Sequence, residues 1–418
     1  MNPISRRTLI RFGVGAGLIA MAGGSAGCAW PGPGGTLTIP APQPAPADRR
    51  RLVMIELAGG CDGLSMVVPY SDDRYRALRP ATGVDPAKVH RIDGRFGFHP
   101  SLQQLSTMGA SVVTGVGVAN PDLSHFEMLQ RWWTGDPDGR TQPTTGFLGR
   151  LCDVLGDPAA PAVGVSLGFG ATQPLACERV STMSIDAGAG GAFPVPETSD
   201  DGLRAAWLAA QRAMAHPDRT DTAMLATARA ATGAALRFTD IAGTLSPAGD
   251  SYPATDLGAQ LSMAARLIDK DELGLRIVHV PVGADFDTHD NHLPQFAALM
   301  ADLDEALAAL RHDLRRRDID SSVLIGVFTE FGRRAADNGS SGLDHGTAST
   351  AMLMGPTQTG LFGEPPSLNR LDGDGNLIAT VNMTEFYATI AEAWFGVPAD
   401  VVLPGRPTPI PGIIPVVR

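Results

Sequence analysis

Runs of consecutive apolar residues, each stopped by glycine or a polar cluster, recur along the chain and read as buried strands. The first, Arg51–Leu57, runs into Ala58-Gly59-Gly60, and others follow at Ser111–Val118, Arg276–Val282, Ser322–Thr329 and Ala348–Met354. Between the third and fourth runs, Phe296, Leu299, Met300, Leu303, Leu307, Leu310 and Leu314 recur at spacings of three and four, with Asp302, Asp304 and Arg311 interposed. That is one apolar stripe on an amphipathic helix. Strand, helix, strand in that order is the parallel βαβ unit, so the pattern predicts an α/β fold with a mainly parallel central sheet sandwiched by helices. A last helix is expected over Met383–Phe395, with Asn382 as its N-cap. Residues 185–270 differ: they are Ala-rich, with helical patterns at Gly202–Ala215, Ala223–Leu236 and Leu257–Lys270, and read as a helical insertion.

The amino end sets an address. Ser5-Arg6-Arg7-Thr8-Leu9-Ile10-Arg11 is basic, and a Gly/Ala-rich apolar stretch follows from Phe12 to Ala26. The stretch is too short and too rich in glycine to span a bilayer, so residues 1–29 read as a twin-arginine secretion signal. Cys28 follows Ser25-Ala26-Gly27, small residues that suit a lipid anchor, although Ser25 stands where Leu is expected. Residues 30–50 are a Pro/Gly-rich linker. Residues 51–418 are then one α/β domain, expected to work outside the cytoplasm in a secreted, periplasmic or cell-envelope setting.

Composition narrows the partners. The chain is 44% hydrophobic and 18% charged, which is globular and not disordered. Its net charge is −11, and outside the signal no basic run exceeds three residues, Arg315-Arg316-Arg317 being a helix end, so nucleic acid is not expected as a partner. Beyond Cys28 there are Cys61, Cys152 and Cys177, which make neither a disulfide framework nor a CxxC zinc site. The absence of GxGxxG and CxxC also counts against a redox protein.

Chemistry-bearing residues gather where the strands end, and functional groups collect at the carboxyl edge of open parallel sheets. After the first strand, Asp62 stands in Gly59-Gly60-Cys61-Asp62-Gly63, either capping a turn or presenting a ligand at the rim. After the third comes Asp285-Phe286-Asp287-Thr288-His289-Asp290-Asn291-His292. Carboxylate oxygens with imidazole nitrogens suit Zn, Mn or Fe, although Asp290 or Asn291 would also serve as a helix N-cap. The fourth strand ends in Thr329-Glu330-Phe331-Gly332-Arg333. Its Glu330 is a rim carboxylate, and Arg333 either clamps an anionic oxygen or opens a surface loop. Asp344-His345-Gly346 precedes the fifth run and offers another ligand pair. Ser124, in Ser124-His125-Phe126-Glu127, reads by default as a helix N-cap completed by Glu127, a reading compatible with a nucleophile or oxyanion donor at the rim. Cys61 reads as a small packed residue.

Taken in order, these blocks resemble the bacterial family called domain of unknown function 1501. The resemblance rests on Leu57-Ala58-Gly59-Gly60-Cys61-Asp62-Gly63-Leu64, Val68-Pro69-Tyr70 and Arg95-Phe96-Gly97-Phe98-His99-Pro100. It continues through Ser124-His125-Phe126-Glu127, Phe286-Asp287-Thr288-His289, Thr329-Glu330-Phe331-Gly332-Arg333 and Asp344-His345-Gly346. That family is similar, distantly, to the alkaline phosphatase and sulfatase superfamily. The resemblance implies hydrolysis of a phosphate or sulfate ester at one or two divalent metals (Zn, Mn, Ca or Mg) with a Ser, Thr or modified Cys nucleophile. By position, Asp62 resembles the metal aspartate after the first strand, Asp287 with His289 or His292 a later Asp/His pair, and His345 the last metal histidine. One place departs: where the superfamily has Asp-His, this chain has Glu330-Phe331, so a carboxylate is kept and an imidazole lost. The expectation is an exported metal-dependent ester hydrolase with a small-molecule or polymer substrate. The alternative is a non-catalytic binding protein for a polysaccharide, lipid or partner protein on the same rim.

Overall fold

The computed structural model describes residues 19–22 and 49–415, apart from 142, 169–172, 188–199, 217, 219–220, 248, 250 and 284–285. The paired arginines, Cys28 and nearly all of the expected leader and linker lie outside the described residues. The apolar runs form the middle of a ten-stranded sheet. In chain order its strands are β1 (Ile19–Ala22), β2 (Arg51–Leu57), β3 (Ser111–Gly117), β4 (Gly164–Leu167), β5 (Ser181–Ile185), β6 (Ile277–Val282), β7 (Val323–Phe328), β8 (Ser349–Met354), β9 (Gly360–Phe362) and β10 (Val381–Asn382). In space the order is β1-β5-β4-β6-β2-β7-β8-β3-β9, with β10 also on β3.

β5, β4, β6, β2 and β7 are parallel neighbours throughout. β8 is antiparallel to both β7 and β3, so it alone reverses the direction inside the sheet. The five runs seen in the sequence are β2, β3, β6, β7 and β8. β4 and β5 carry no comparable sequence signal, because four or five residues with interleaved serines do not stand out as an apolar run.

Every residue of β2 is buried, because helices cover both faces of the sheet. Val53, Ile55 and Leu57 face a core shared with α6 (Asp256–Ile268) and α7 (His292–Arg316). Leu52 and Met54 face a second core shared with α2 (His125–Thr134), α3 (Phe147–Leu155) and α8 (Met383–Ala388). On α7 the stripe Phe296, Met300, Leu303, Leu307, Leu310 and Leu314 is buried as its spacing predicts. Between β5 and β6 lie α4 (Asp201–Met214), α5 (Ala223–Ala242) and α6. α4 buries no residue, whereas α6 packs on α7 in the main core. The helix expected over Met383–Phe395 ends as an α-helix at Ala388 and continues through a π-helical stretch, Thr389–Trp394. It starts with a complete capping box between Asn382 and Glu385.

At the end of β2 the chain reverses through Gly59 (φ 109°) and Gly60 (φ 71°) into α1 (Gly63–Met66). A Cβ at position 60 would lie 2.5 Å from the Phe331 ring, so both the backbone angle and the space require glycine. This turn brings the ends of β2 and β7 into contact and opens the rim on which the candidate site is built.

Candidate metal centre

Three histidines from three different chain segments meet over one carboxylate at the carboxyl rim. His125 starts α2, Asp287 and His289 lie in the loop after β6, and His345 lies just before β8. His125 Nε2 is 3.1 Å from His345 Nε2 and 3.6 Å from Asp287 Oδ2. His345 Nε2 is 3.1 Å and His289 Nε2 2.9 Å from Asp287 Oδ1. One donor atom each from His125, Asp287 and His345 fall within 4.8 Å of one another, a spacing that one metal ion bridges.

The other nitrogen of each ring is held from behind. His125 Nδ1 lies 2.6 Å from Glu330 Oε1, and His345 Nδ1 2.7 Å from the Leu123 carbonyl oxygen. His289 Nδ1 lies 3.3 Å from Asp344 Oδ1. Each Nδ1 thus faces an acceptor, and the Nε2 atoms of His289 and His345 face another, the Asp287 carboxylate. The three Nε2 atoms face one another and the Asp287 carboxylate, and His289 Nε2 also lies 3.5 Å from Arg333 Nη1. Each histidine is thus oriented by a carboxylate or carbonyl behind it, the arrangement that holds metal-binding imidazoles.

Glu330 belongs to this outer ring. It is buried, and its Oε1 accepts from both His125 and the Gly59 N–H, while its Oε2 accepts from Thr329. Burial by itself would lower the His125 pKa, but the Glu330 hydrogen bond and charge, with Asp287, raise it. Asp287 is pushed up by burial and held below the usual carboxylate range by Arg333 and the neighbouring histidines.

Several residues singled out in the sequence do other work here. Arg333 does not face outward to clamp an anion. It is fully buried, donating to the carbonyls of Gly59, Gly60, Phe286 and Leu343 and to Asp287 Oδ1, with Nη1 also 3.5 Å from His289 Nε2, which leaves no free donor to offer a substrate. Asp62 and His292 form a separate buried cluster. Both Asp62 oxygens are taken by Arg79, and Oδ2 also accepts from the Ser65 N–H as the N-cap of α1. Burial would raise the Asp62 pKa, but the Arg79 guanidinium brings it down to about 2. His292 lies between Ser65 Oγ at 3.0 Å and Thr288 Oγ1 at 2.7 Å, with no exposed surface. Neither residue presents an atom to the histidine cluster. Asp344 stands behind His289 and also accepts from Asn338. Ser124 is the N-cap of α2 and exposed, but its side chain makes no capping bond, and Glu127 pairs with Arg131 rather than completing a capping box. Cys61 is buried, and burial pushes its thiol pKa well up, which removes it as a nucleophile or soft ligand.

His125 is the residue that sequence reasoning passed over. In the sequence its tetrapeptide draws attention to Ser124, as cap or nucleophile, and nothing local tells that the His125 ring reaches Glu330, 205 positions away.

Fold and cluster together define an α/β protein with a histidine–carboxylate centre on the carboxyl rim of its sheet. The chain belongs to the family described as "Protein of unknown function (DUF1501)", whose sequence profile matches residues 96–393. The Leu57–Leu64 and Val68–Tyr70 blocks precede the matched segment. No curated protein compared with the chain matches it. Among solved structures it is similar to a protein in the alkaline phosphatase superfamily from Vibrio parahaemolyticus (9% identity, TM-score 0.39, 85% of this chain and 69% of that one). It is also similar to the C-terminal periplasmic domain of EcEptC from Escherichia coli (11%, 0.37, 90% and 93%). A third is the lipoteichoic acid synthase LtaP from Listeria monocytogenes (10%, 0.35, 80% and 75%). Among the described residues, no helix is long and apolar enough to cross a membrane.

Proposed function

We propose that this chain is an exported, metal-dependent hydrolase of phosphate or sulfate esters. What supports the reading is the convergence of three imidazole Nε2 atoms, from three chain segments, on Asp287. His125, His289 and His345 would supply nitrogen and Asp287 oxygen, a donor set that suits Zn or Mn better than the all-oxygen preference of Ca and Mg. The superfamily pattern lacks its imidazole at Glu330-Phe331, but His125 supplies one at that place, its ring 4.7 Å from the Phe331 ring centre. A divalent ion held there supplies a Lewis acid for an ester oxygen. Around it the chain's own groups have defined tasks. Glu330 and Asp344 brace the His125 and His289 rings, Arg333 locks Asp287, and Ser124, exposed and next to His125 in the chain, would be the hydroxyl that attacks or orients the ester.

One observation favours a second reading, a non-catalytic binding protein using the same rim. Arg333, the cation expected to steady an anionic ester, is consumed by backbone carbonyls. A single experiment separates the two. Protein purified from the exported fraction is assayed for bound metal and for turnover of aryl phosphate, phosphodiester and aryl sulfate. The hydrolase reading expects near-stoichiometric metal that is lost in Asp287→Ala and His345→Ala, with slow turnover abolished by Ser124→Ala. Metal without turnover supports the binding protein, and folded protein with no metal rejects the centre itself.

A further inference from the structure

Helix α2 carries His125 at its first position, and consecutive tryptophans, Trp132 and Trp133, at its far end. Both indole N–H groups are spent on the ends of the strands beneath. Trp132 Nε1 donates to the Glu330 carbonyl oxygen at 2.9 Å, and Trp133 Nε1 donates to Glu56 Oε2 at 2.7 Å. Glu330 therefore holds the helix twice, its side chain taking His125 and its backbone taking Trp132. Glu56 holds it from the adjacent strand.

Glu56 has no part in the histidine cluster, yet it is a carboxylate only 3% exposed, near the end of β2. Placing such a group in a core is costly unless it is paired. Its partners are Trp133 and His279, whose Nε2 lies 3.2 Å from the same oxygen. His279 is in turn held by Ser166 Oγ, 3.1 Å from its Nδ1. The carboxylate is thus supported from β6 and β4 and gives its strongest bond to α2. A ten-residue helix is about 15 Å long, so a small tilt at the tryptophan end moves the imidazole at the other end by a comparable amount.

We infer that Trp133, bonded to Glu56, is a positioning residue for His125. It sets the tilt of α2 so that the imidazole meets Glu330 and the other two histidines. The metal-affinity part of the test rests on the proposed centre; the spectroscopic part does not. Trp133→Phe keeps an aromatic ring and removes the N–H. Zinc affinity, measured by competition with a chromophoric chelator, should weaken roughly tenfold, the lower end of what supporting residues contribute. The same change made in His125→Ala protein should leave zinc affinity unaltered, because Trp133 acts only through that imidazole. In metal-free protein, the nuclear Overhauser contact between His125 and the Phe331 ring should weaken while the His289 and His345 signals stay in place. Glu56→Gln, which retains an acceptor for the indole, should behave as wild type. If Trp133→Phe does not fold, β-(3-benzothienyl)alanine at position 133 removes the N–H alone. Equal loss of affinity in both backgrounds, or an unchanged His125–Phe331 contact, overturns the inference. Absence of zinc binding by the wild type rejects the centre and leaves the Overhauser contact to decide the positioning role.

Discussion

Acidification should unfold this protein in two separate stages, and the first belongs to His292. Burial lowers its pKa from 6.5 to about 4, with nearby Arg79 and Arg333 adding to the effect against the opposing Asp62. The folded state therefore keeps the ring neutral while the unfolded chain protonates it. Stability is full above about pH 6.5 and falls as the pH drops toward 4, because in that window the unfolded state binds the extra proton. A difference of about 2.5 pKa units corresponds to about 3 kcal/mol over the whole window, and about 2 kcal/mol of it between pH 7 and pH 5. His99 is shifted the same way, to about 4, by burial and by His292 itself, so the pair acts together. His125 is shifted upward and works in the opposite sense. The contribution of His292 is therefore isolated by comparison. Urea unfolding of wild type and His292→Gln, followed by circular dichroism at pH 7, 6 and 5, should show a shallower pH slope in the variant by about 2 kcal/mol between the extremes. Glutamine retains groups for Ser65 and Thr288 and cannot titrate. Parallel slopes would refute the assignment. The second stage comes below pH 4, as Asp62, with a folded pKa of about 2, takes up its proton.

Three further outcomes are expected, two from contacts in the structure and one from the sequence of the amino end. Glu330→Gln keeps an acceptor for the His125 and Gly59 N–H groups but removes the charge behind the ring; metal affinity should fall about tenfold by calorimetric titration, with little change in melting temperature. Arg79→Met leaves the Asp62 carboxylate buried without its cation and should cost about 3–5 kcal/mol in denaturant unfolding, much of it regained in Arg79→Met/Asp62→Leu. Replacing both Arg6 and Arg7 by Lys should leave the protein in the cytoplasm with its leader attached, as fractionation and mass measurement would show.

Much of the sheet is legible in the sequence because buried strands announce themselves by composition. β2, β3, β6, β7 and β8 are each a run of apolar residues ended by a turn. The short, serine-bearing β4 and β5 are strands only because they lie between other elements. The site divides in the same way. Asp287, His289 and His345 are visible because ligand-type residues crowd the ends of strands. The roles of Asp62 and Arg333 are not, since each is decided by a distant partner. Arg79 closes on Asp62 from 17 positions away and removes it from the rim, and the carbonyls of Gly59 and Gly60 capture Arg333 from more than 270 positions away. His125 hid behind a capping pattern, although its place just after β3 gave it the same topological address as the other histidines.

The buried guanidinium of Arg333 has an engineering consequence. It ties the turn after β2, the loop after β6 and the segment before His345 into one knot. Those loops cannot be exchanged with a relative's one at a time, because each transplanted loop would leave the knot with an unfilled strand. Chimeras of this family should therefore keep the geometry of the proposed centre only when all three loops travel together with the arginine.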